Sequence, residues 1–548
     1  VYSLNYGDKI QKKQFREIWD EYCNFLDLSI DEYMTIQRRL MQEQIQLWSP
    51  SGIGRKFLDR TPDSIEDFRN VMPLTTYEDY ADILLGKKED MMPMQPVLWL
   101  QTTWEGGKHP LKVAPYTQGM LDTFRGNLMS VSTLSSVDEH QKTKLRNGDR
   151  VLFGLAPLPF VTGLFPLVFE EEIDFRFLPP VKEANKMSFG ERNRKGFSMG
   201  MEKGIDVFFG LSSVIHYITA NFANMLKSGS SQGKLSKVAK MSPTMILRFL
   251  CAGYRAKKEG RDILPKDLFQ LKALVCAGTD TGSYKASLKE AWGVNPLEIF
   301  AGTEVSIVGT ETQSRNGMVF FPDNCFYEFI PEEDIRQEQK DPSFQPRTFL
   351  MDELVANHNY ELAVTVFKGG AFARYRVGDM FRCISAAGDS TTSLPLLVYI
   401  DRVSDVIDIA GFTRITERSI EDVIRLSGIA IRHWIAKKEY DSERRPFLHL
   451  YIEMEPENLH LMAIGRQLIK EHLEVYFKYF DADYNDLKKM LGIEPLQIDI
   501  LKCGTVEGFY EATGKFTRRM NPSEFDLHDL LEFDTYRASV SDREGFHE

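Results

Sequence analysis

From about residue 95 onward, short apolar runs alternate with longer amphipathic stretches. A chain patterned in this way is confined to a layered α/β architecture. Residues 97–100, 151–155, 274–277 and 297–300 read as buried strands, and residues 213–226 between them carry a helical pattern. The first fifty residues differ. Phe15, Ile18, Trp19 and Tyr22 recur at helical spacing, and Ser29-Ile30-Asp31-Glu32 is a capping box opening a second helix through Leu40 and Trp48. They predict a structural helical lead-in. Residues 228–242 are polar and predict an exposed, mobile loop.

After Asp401 a separate unit begins. Residues 447–452 and 496–501 read as strands and residues 464–480 as an amphipathic helix. A chain of 548 residues exceeds what one core organises. The expectation is a large α/β domain over 1–400 and a small α+β domain over 401–548.

The charge balance excludes one class of partner. With 67 basic and 79 acidic residues the net charge is −12, against general nucleic-acid affinity. The six cysteines show neither a Cys-x-x-Cys pair nor a metal-ligand spacing with histidine, so reduced, mostly buried thiols are expected. No apolar run is long enough for a membrane span, and residues 1–25 are charged and amphipathic rather than signal-like. A soluble cytoplasmic protein is the expectation.

Five segments carry chemistry. Residues 360–367 and the stretch from Arg374 read as a hairpin turning at Gly369-Gly370, and it runs into Arg374-Tyr375-Arg376-Val377-Gly378-Asp379. A carboxylate fixed after a strand and a glycine can accept hydrogen bonds from two vicinal hydroxyls, as on a ribose. The loop Gln101-Thr102-Thr103-Trp104-Glu105-Gly106-Gly107-Lys108-His109-Pro110-Leu111-Lys112 follows a strand. Its hydroxyls, glycines and lysines suit a polyphosphate, although the Walker spacing is absent. Phe300-Ala301-Gly302-Thr303-Glu304 ends another strand with a small-residue turn, a hydroxyl for a phosphate oxygen and a carboxylate for magnesium. Ala277-Gly278-Thr279-Asp280-Thr281-Gly282 is a second junction of that kind, and the two together suggest one crevice. Near the C-terminus, Gly514-Lys515 places a lysine beside a glycine in a polar loop.

In order and separation, these segments resemble the motifs of the adenylate-forming superfamily, with Asp401-Arg402-Val403-Ser404-Asp405 at its hinge position. More narrowly the chain resembles the auxin-inducible acyl acid amido synthetases and their bacterial relatives. Val71-Met72-Pro73-Leu74-Thr75-Thr76-Tyr77-Glu78-Asp79-Tyr80, the residue 360–379 block, and Pro495-Leu496-Gln497-Ile498 with Gly504-Thr505 carry that likeness. The resemblance implies a large N-terminal domain of layered α/β sheets with a small mobile C-terminal lid. It implies activation of a small carboxylic acid by ATP and Mg2+ through an acyl-adenylate, then transfer to an amino acid. Transfer to CoA is the alternative.

By the same resemblance, Thr102, Thr103, Gly106, Gly107 and Lys112 would cradle phosphates, with Gly278, Thr279, Phe300, Ala301 and Gly302 lining the nucleotide crevice. Thr303 would touch the α-phosphate and Glu304 would hold magnesium. Asp379 would bind ribose with Tyr375 close to the base, Arg402 would support the ribose, and Lys515 would stabilise charge during adenylation. Trp104 and Glu105 stand where the family has a glycine and a hydroxyl, which leaves a non-catalytic nucleotide- or acyl-binding homologue as a third reading. Gly229-Ser230-Ser231-Gln232-Gly233 follows a helix rather than a strand, unlike a nucleophile elbow. His216 reads as a core or pocket residue and Glu170-Glu171-Glu172 as a solvated turn. Residues 157–165 read as either an acid pocket wall or a core strand.

Overall fold

Local chemistry sets the N-terminal helices. Ser29 caps the helix Ile30–Trp48 by accepting from the Glu32 backbone N–H, while the Glu32 carboxylate accepts from the Ser29 N–H at 2.8 Å. The buried face of this helix carries three polar handles. Gln37 donates to Pro322 O and Cys325 O, Gln44 donates to Gly370 O and accepts from Gly369 N, and the Trp48 indole donates to Ala371 O. The predicted lead-in is therefore the clamp that holds the Gly369-Gly370 turn. The computed structural model describes residues 4–102, 111–227, 240–341, 343–388, 392–402, 406–411, 413–455, 466–480, 484, 487, 492, 494–515, 517–522 and 524–544. Most of the predicted 228–242 loop, including Gly229 to Gly233, lies outside them.

Among the described residues one compact unit runs to Asp401 and a second from Arg402 onward. The first is built on an eleven-stranded sheet in the order Cys325–Pro331, Asn359–Val366, Tyr375–Ser385, Leu396–Arg402, Met318–Phe320, Ser306–Glu311, Leu297–Gly302, Ala273–Ala277, Val207–Leu211, Arg150–Phe153, Arg176–Leu178. From Leu297–Gly302 to Arg176–Leu178 neighbouring strands are parallel. On the other side of Leu297–Gly302 the pairing turns antiparallel, as it is along Cys325–Pro331, Asn359–Val366 and Tyr375–Ser385. Crossover helices such as Ser212–Lys227 and Thr281–Trp292 connect the parallel strands, as such strands require.

Two sequence readings are corrected. Residues 157–165 form a loop, a short 3-10 turn at Val161–Gly163 and the start of the helix Leu164–Glu172, not a strand. Pro157 and Pro159 interrupt the run, and a proline cannot donate to a central ladder. Glu170 to Glu172 close that helix rather than forming a turn, and Glu171 meets Arg125 at 2.6 Å.

The second unit holds a three-stranded sheet of Ile431–Tyr440, Pro446–Met454 and Leu496–Leu501, the first pair antiparallel and the second parallel. The helices Thr505–Thr513 and Glu524–Glu544 pack on it through a small core of Ile435, Tyr451, Leu501, Phe509, Leu527 and Leu530. All six cysteines are free thiols. No helix among the described residues is long and apolar enough to cross a membrane.

A buried ionic knot locks the hairpin of the first unit. Glu328 is fully buried and takes the Arg374 guanidinium at 2.9 and 3.0 Å and Arg69 Nε at 3.1 Å. Arg374 also donates to the carbonyls of Arg69 and Met72. Glu328→Ala leaves two guanidinium groups without their carboxylate, so the expected loss is about 3–5 kcal/mol. Urea unfolding followed by a probe of the first unit measures it, and a midpoint equal to wild type would contradict the assignment.

Candidate active site

The segment that the sequence marks for phosphate is flanked by two antiparallel strands, Leu98–Gln101 against Val113–Tyr116. Its base is closed by Thr102, whose N–H donates to Lys112 O and whose Oγ1 accepts from the Lys112 N–H at 3.0 Å. Thr102 thus braces the loop with its own hydroxyl. Thr103, Gly106 and Gly107 lie outside the described residues, as do Trp104 and Glu105. Gln101 N–H is held by Pro159 O at 2.9 Å. Tyr77 binds the far strand through Val113 N and O.

Lys112 is where the hairpin meets the sheet. Its Nζ lies 3.3 Å from Glu304 Oε1 and 3.5 Å from the Tyr375 hydroxyl, and stands 5.6 Å from the Tyr77 ring centre. Tyr375 donates to Glu304 Oε1 at 3.1 Å. Glu304 lies two residues beyond the strand Leu297–Gly302, which carries a bulge between Phe300 and Ala301. Bulges at strand ends re-aim the side chains that follow. Thr303 and Glu304 are both buried, and the Thr303 carbonyl accepts from the Tyr116 hydroxyl at 2.9 Å. Burial first, and the Glu304 carboxylate second, push the Tyr116 phenol up from its ordinary value. The result is one carboxylate, one ammonium and one phenol at the carboxyl end of the joint strand.

Tyr375 is placed by residues that the sequence marked only as family features. Thr75 N–H donates to Arg374 O and Thr75 O accepts from the Arg376 N–H, so the 71–80 segment pairs with the strand across Tyr375. The Tyr80 hydroxyl donates to Ala373 O, and Phe372 packs 4.6 Å from the Tyr375 ring. Tyr375 therefore presents its hydroxyl to Glu304 and Lys112 from an aromatic bed.

Further along the strand Tyr375–Ser385, Gly378 has φ +81 with open space around it. That backbone conformation, not crowding, is what calls for glycine. Asp379 next to it is 4% exposed and accepts from the Tyr399 hydroxyl at 3.1 Å. Tyr399 stacks on Phe300 at 5.8 Å, and Phe381 meets both rings edge-on. Asp379 and the Phe300 to Glu304 segment are brought together through Tyr399, which the sequence reading missed. An aromatic in the otherwise aliphatic run Leu396-Leu397-Val398-Tyr399-Ile400 was the available signal.

Gly278 and Thr279 lie beyond the strand Ala273–Ala277, which is the parallel neighbour of Leu297–Gly302, so the two predicted junctions leave the same sheet edge. Gly278 has φ +117 and Thr281 returns its hydroxyl to Gly278 O. His216 stacks on Tyr284 at 4.2 Å. Lys285, on the helix Thr281–Trp292, bridges Glu298 at 2.8 Å and Glu311 at 2.5 Å and ties that helix to two strands. In the second unit Lys515 follows Gly514, which caps Thr505–Thr513 at φ +67. Its ammonium pairs with Asp529 at 2.8 Å and lies 5.2 Å from the Phe525 ring centre. The Asp529 hydrogen bond holds Lys515 above the ordinary lysine range. The Arg402 side chain lies outside the described residues, as does Ser404.

Comparison with known proteins bears on this geometry. The GH3 family central domain matches residues 318–402, the segment that holds Tyr375, Asp379 and Tyr399. An acyl acid amido synthetase, AtGH3.15, solved in complex with 2,4-DB, is 16% identical over 95% of this chain and 96% of its own, with a TM-score of 0.50. A 2-hydroxyisobutyryl-CoA ligase in complex with 2-HIB-AMP and CoA is 14% identical over 88% of each chain, with a TM-score of 0.53. No curated protein sequence matches. Residues 318–402 thus match the GH3 family central domain, and the fold of the chain is similar to those of the acyl acid amido synthetase and the 2-hydroxyisobutyryl-CoA ligase.

Proposed function

We propose that this protein is a ligase that activates a small carboxylic acid with ATP and passes the acyl group to the amine of an amino acid. The observation that carries the reading is the cluster of Lys112, Glu304 and Tyr375 at one sheet edge, with Asp379 linked to the same edge through Tyr399 and Phe300. One ammonium and one carboxylate suit a triphosphate with its metal, and a second carboxylate suits a ribose. Glu304 offers a single protein ligand, which fits magnesium, an ion that keeps most of its waters and substrate phosphates as ligands. When bound there the ion would neutralise phosphate charge.

In the first half-reaction a carboxylate oxygen of the acid attacks the α-phosphorus of ATP. A new P–O bond forms, the bond to the β-phosphate breaks, and pyrophosphate leaves with the electron pair. The protein's contribution is position and field. Lys112 holds positive charge beside the phosphates, Thr102 fixes the hairpin that delivers it, and Tyr375 orients Glu304. Asp379 anchors the ribose and so sets the α-phosphate. In the second half-reaction the amine nitrogen attacks the acyl carbon and AMP departs. Lys515, on the second unit, supplies charge in the first half-reaction only. An ATP-consuming enzyme with six free thiols suits the cytoplasm.

The GH3 central domain favours an amine acceptor. The fold shared with the 2-hydroxyisobutyryl-CoA ligase favours CoA as the second reading. ATP–pyrophosphate exchange across a carboxylic acid library, followed by amino acids and CoA as acceptors, tests both. Absence of exchange with every acid in the presence of magnesium overturns the ligase reading.

Two variants follow from the site. Asp379→Ala is expected to weaken ATP binding by about 1.5–3 kcal/mol, the scale of charge-assisted hydrogen bonds; calorimetry with unchanged affinity would remove the ribose role. Lys515→Ala is expected to slow adenylation on the order of a hundredfold while supplied acyl-adenylate is still converted at a near-normal rate. Equal damage to both half-reactions would reject its restriction to the first.

A further inference from the structure

Arg192 is the charged side chain lining a cavity at the far edge of the first unit's sheet whose other lining residues are apolar except for Asn185. The cavity, of about 70 Å³, lies beyond the carboxyl ends of Arg150–Phe153 and Arg176–Leu178 and is walled by Phe153, Leu158, Leu167, Phe177 and Val181. Leu158 and Leu167 are partly exposed and form its mouth. Arg192 projects from the helix Phe189–Lys203 and is only 4% exposed. Its Nη1 donates to Leu155 O at 2.5 Å, and its Nε meets no acceptor. The Phe189 ring, 5.9 Å away, offers it a cation–π contact. Among the described residues no carboxylate pairs with it, and burial lowers its pKa from the ordinary guanidinium value.

A buried cation with donors to spare, in apolar surroundings, is costly unless an anion meets it. The guanidinium fork is matched to a planar carboxylate. A phosphate dianion would bring a second charge for which this lining has no cation. The volume admits a few heavy atoms, and the walls suit a short alkyl chain. Three strand spacings, roughly 14 Å at the usual distance between neighbours, separate the strand leading into this cavity from the strand leading into Glu304. We propose that Arg192 and this cavity form a second binding site, for the carboxylate of a small apolar acid, apart from the Glu304 cluster. The cavity wall at Leu158 adjoins Pro159, whose carbonyl holds the Gln101 end of the hairpin carrying Thr102 and Lys112.

The test is titration calorimetry on the full chain without nucleotide, with butyrate as the probe and butyramide and inorganic phosphate beside it. Butyrate is expected to bind at least tenfold more tightly than either. Arg192→Gln is expected to weaken butyrate at least tenfold. Ala184→Leu, which fills the cavity from its wall and leaves the guanidinium in place, is expected to do the same. Ala184→Leu decides the matter if Arg192→Gln does not fold. No butyrate binding to wild type, or equal binding by wild type and the Ala184→Leu protein, overturns the site; phosphate binding as tight as butyrate overturns its carboxylate preference. Because no ATP is present, a failure of the ligase reading leaves this readout intact.

Discussion

The structure of the first unit turns on one strand, Leu297–Gly302, which pairs in parallel with Ala273–Ala277 on one side and antiparallel with Ser306–Glu311 on the other. Parallel neighbours demand crossover helices, whereas antiparallel neighbours accept tight turns. Changing from one rule to the other at a single strand brings two kinds of connection to its carboxyl end. Helix-forming junctions arrive from the parallel half, at Gly278 to Thr281. A tight return arrives from the antiparallel half, at Thr303 to Ser306. Glu304 stands just past the carboxyl end of that strand, where the two kinds of connection meet.

Buried charge pins both sides of that joint. On the parallel side Lys285 sits between Glu298 and Glu311, binding the crossover helix to the joint strand and its antiparallel neighbour. On the antiparallel side Glu328 gathers Arg374 and Arg69 behind the strand that carries Tyr375 and Asp379. Arg374 and Arg376 flank Tyr375 in sequence, yet neither faces the cluster. Arg376 forks onto Glu361 and reaches Glu338. Arg374 and Arg376 are thus tied up in ion pairs, whereas Tyr375 reaches Glu304 and Asp379 meets Tyr399.

Local features were legible in the sequence. The capping box at Ser29, the turn at Gly369-Gly370, the positive-φ glycine before Asp379 and the strand patterns before Glu304 are all written within a few residues. The partners that complete the site are not. Lys112 and Glu304 meet because the hairpin packs on the joint strand, and Tyr399 reaches Asp379 because its strand is inserted between Met318–Phe320 and Tyr375–Ser385. Neither pairing leaves a short-range trace. The 157–165 stretch was open to misreading for the opposite reason: its apolar content was plain, and its prolines carried the decisive information.

Three guanidinium groups, those of Arg374 and Arg192 buried and that of Arg315 half-buried, show how differently one residue type is accommodated. Arg374 has a carboxylate and backbone carbonyls. Arg315 has no ion pair among the described residues but donates to three carbonyls, those of Asn295, Thr312 and Leu134, and burial holds its pKa down to about 10. Arg192 has one carbonyl and a ring. Sequence composition treats the three as equivalent basic residues, whereas electrostatics does not. A charge compensated by a carboxylate locks a fold, one compensated by backbone carbonyls pins a loop, and one left with a spare donor at a cavity wall is suited to a ligand. The same criterion, applied to Lys112, separates its pairing with Glu304 from simple scaffolding. Lys112 is partly exposed, so its ammonium keeps a face that the Glu304 carboxylate does not cover.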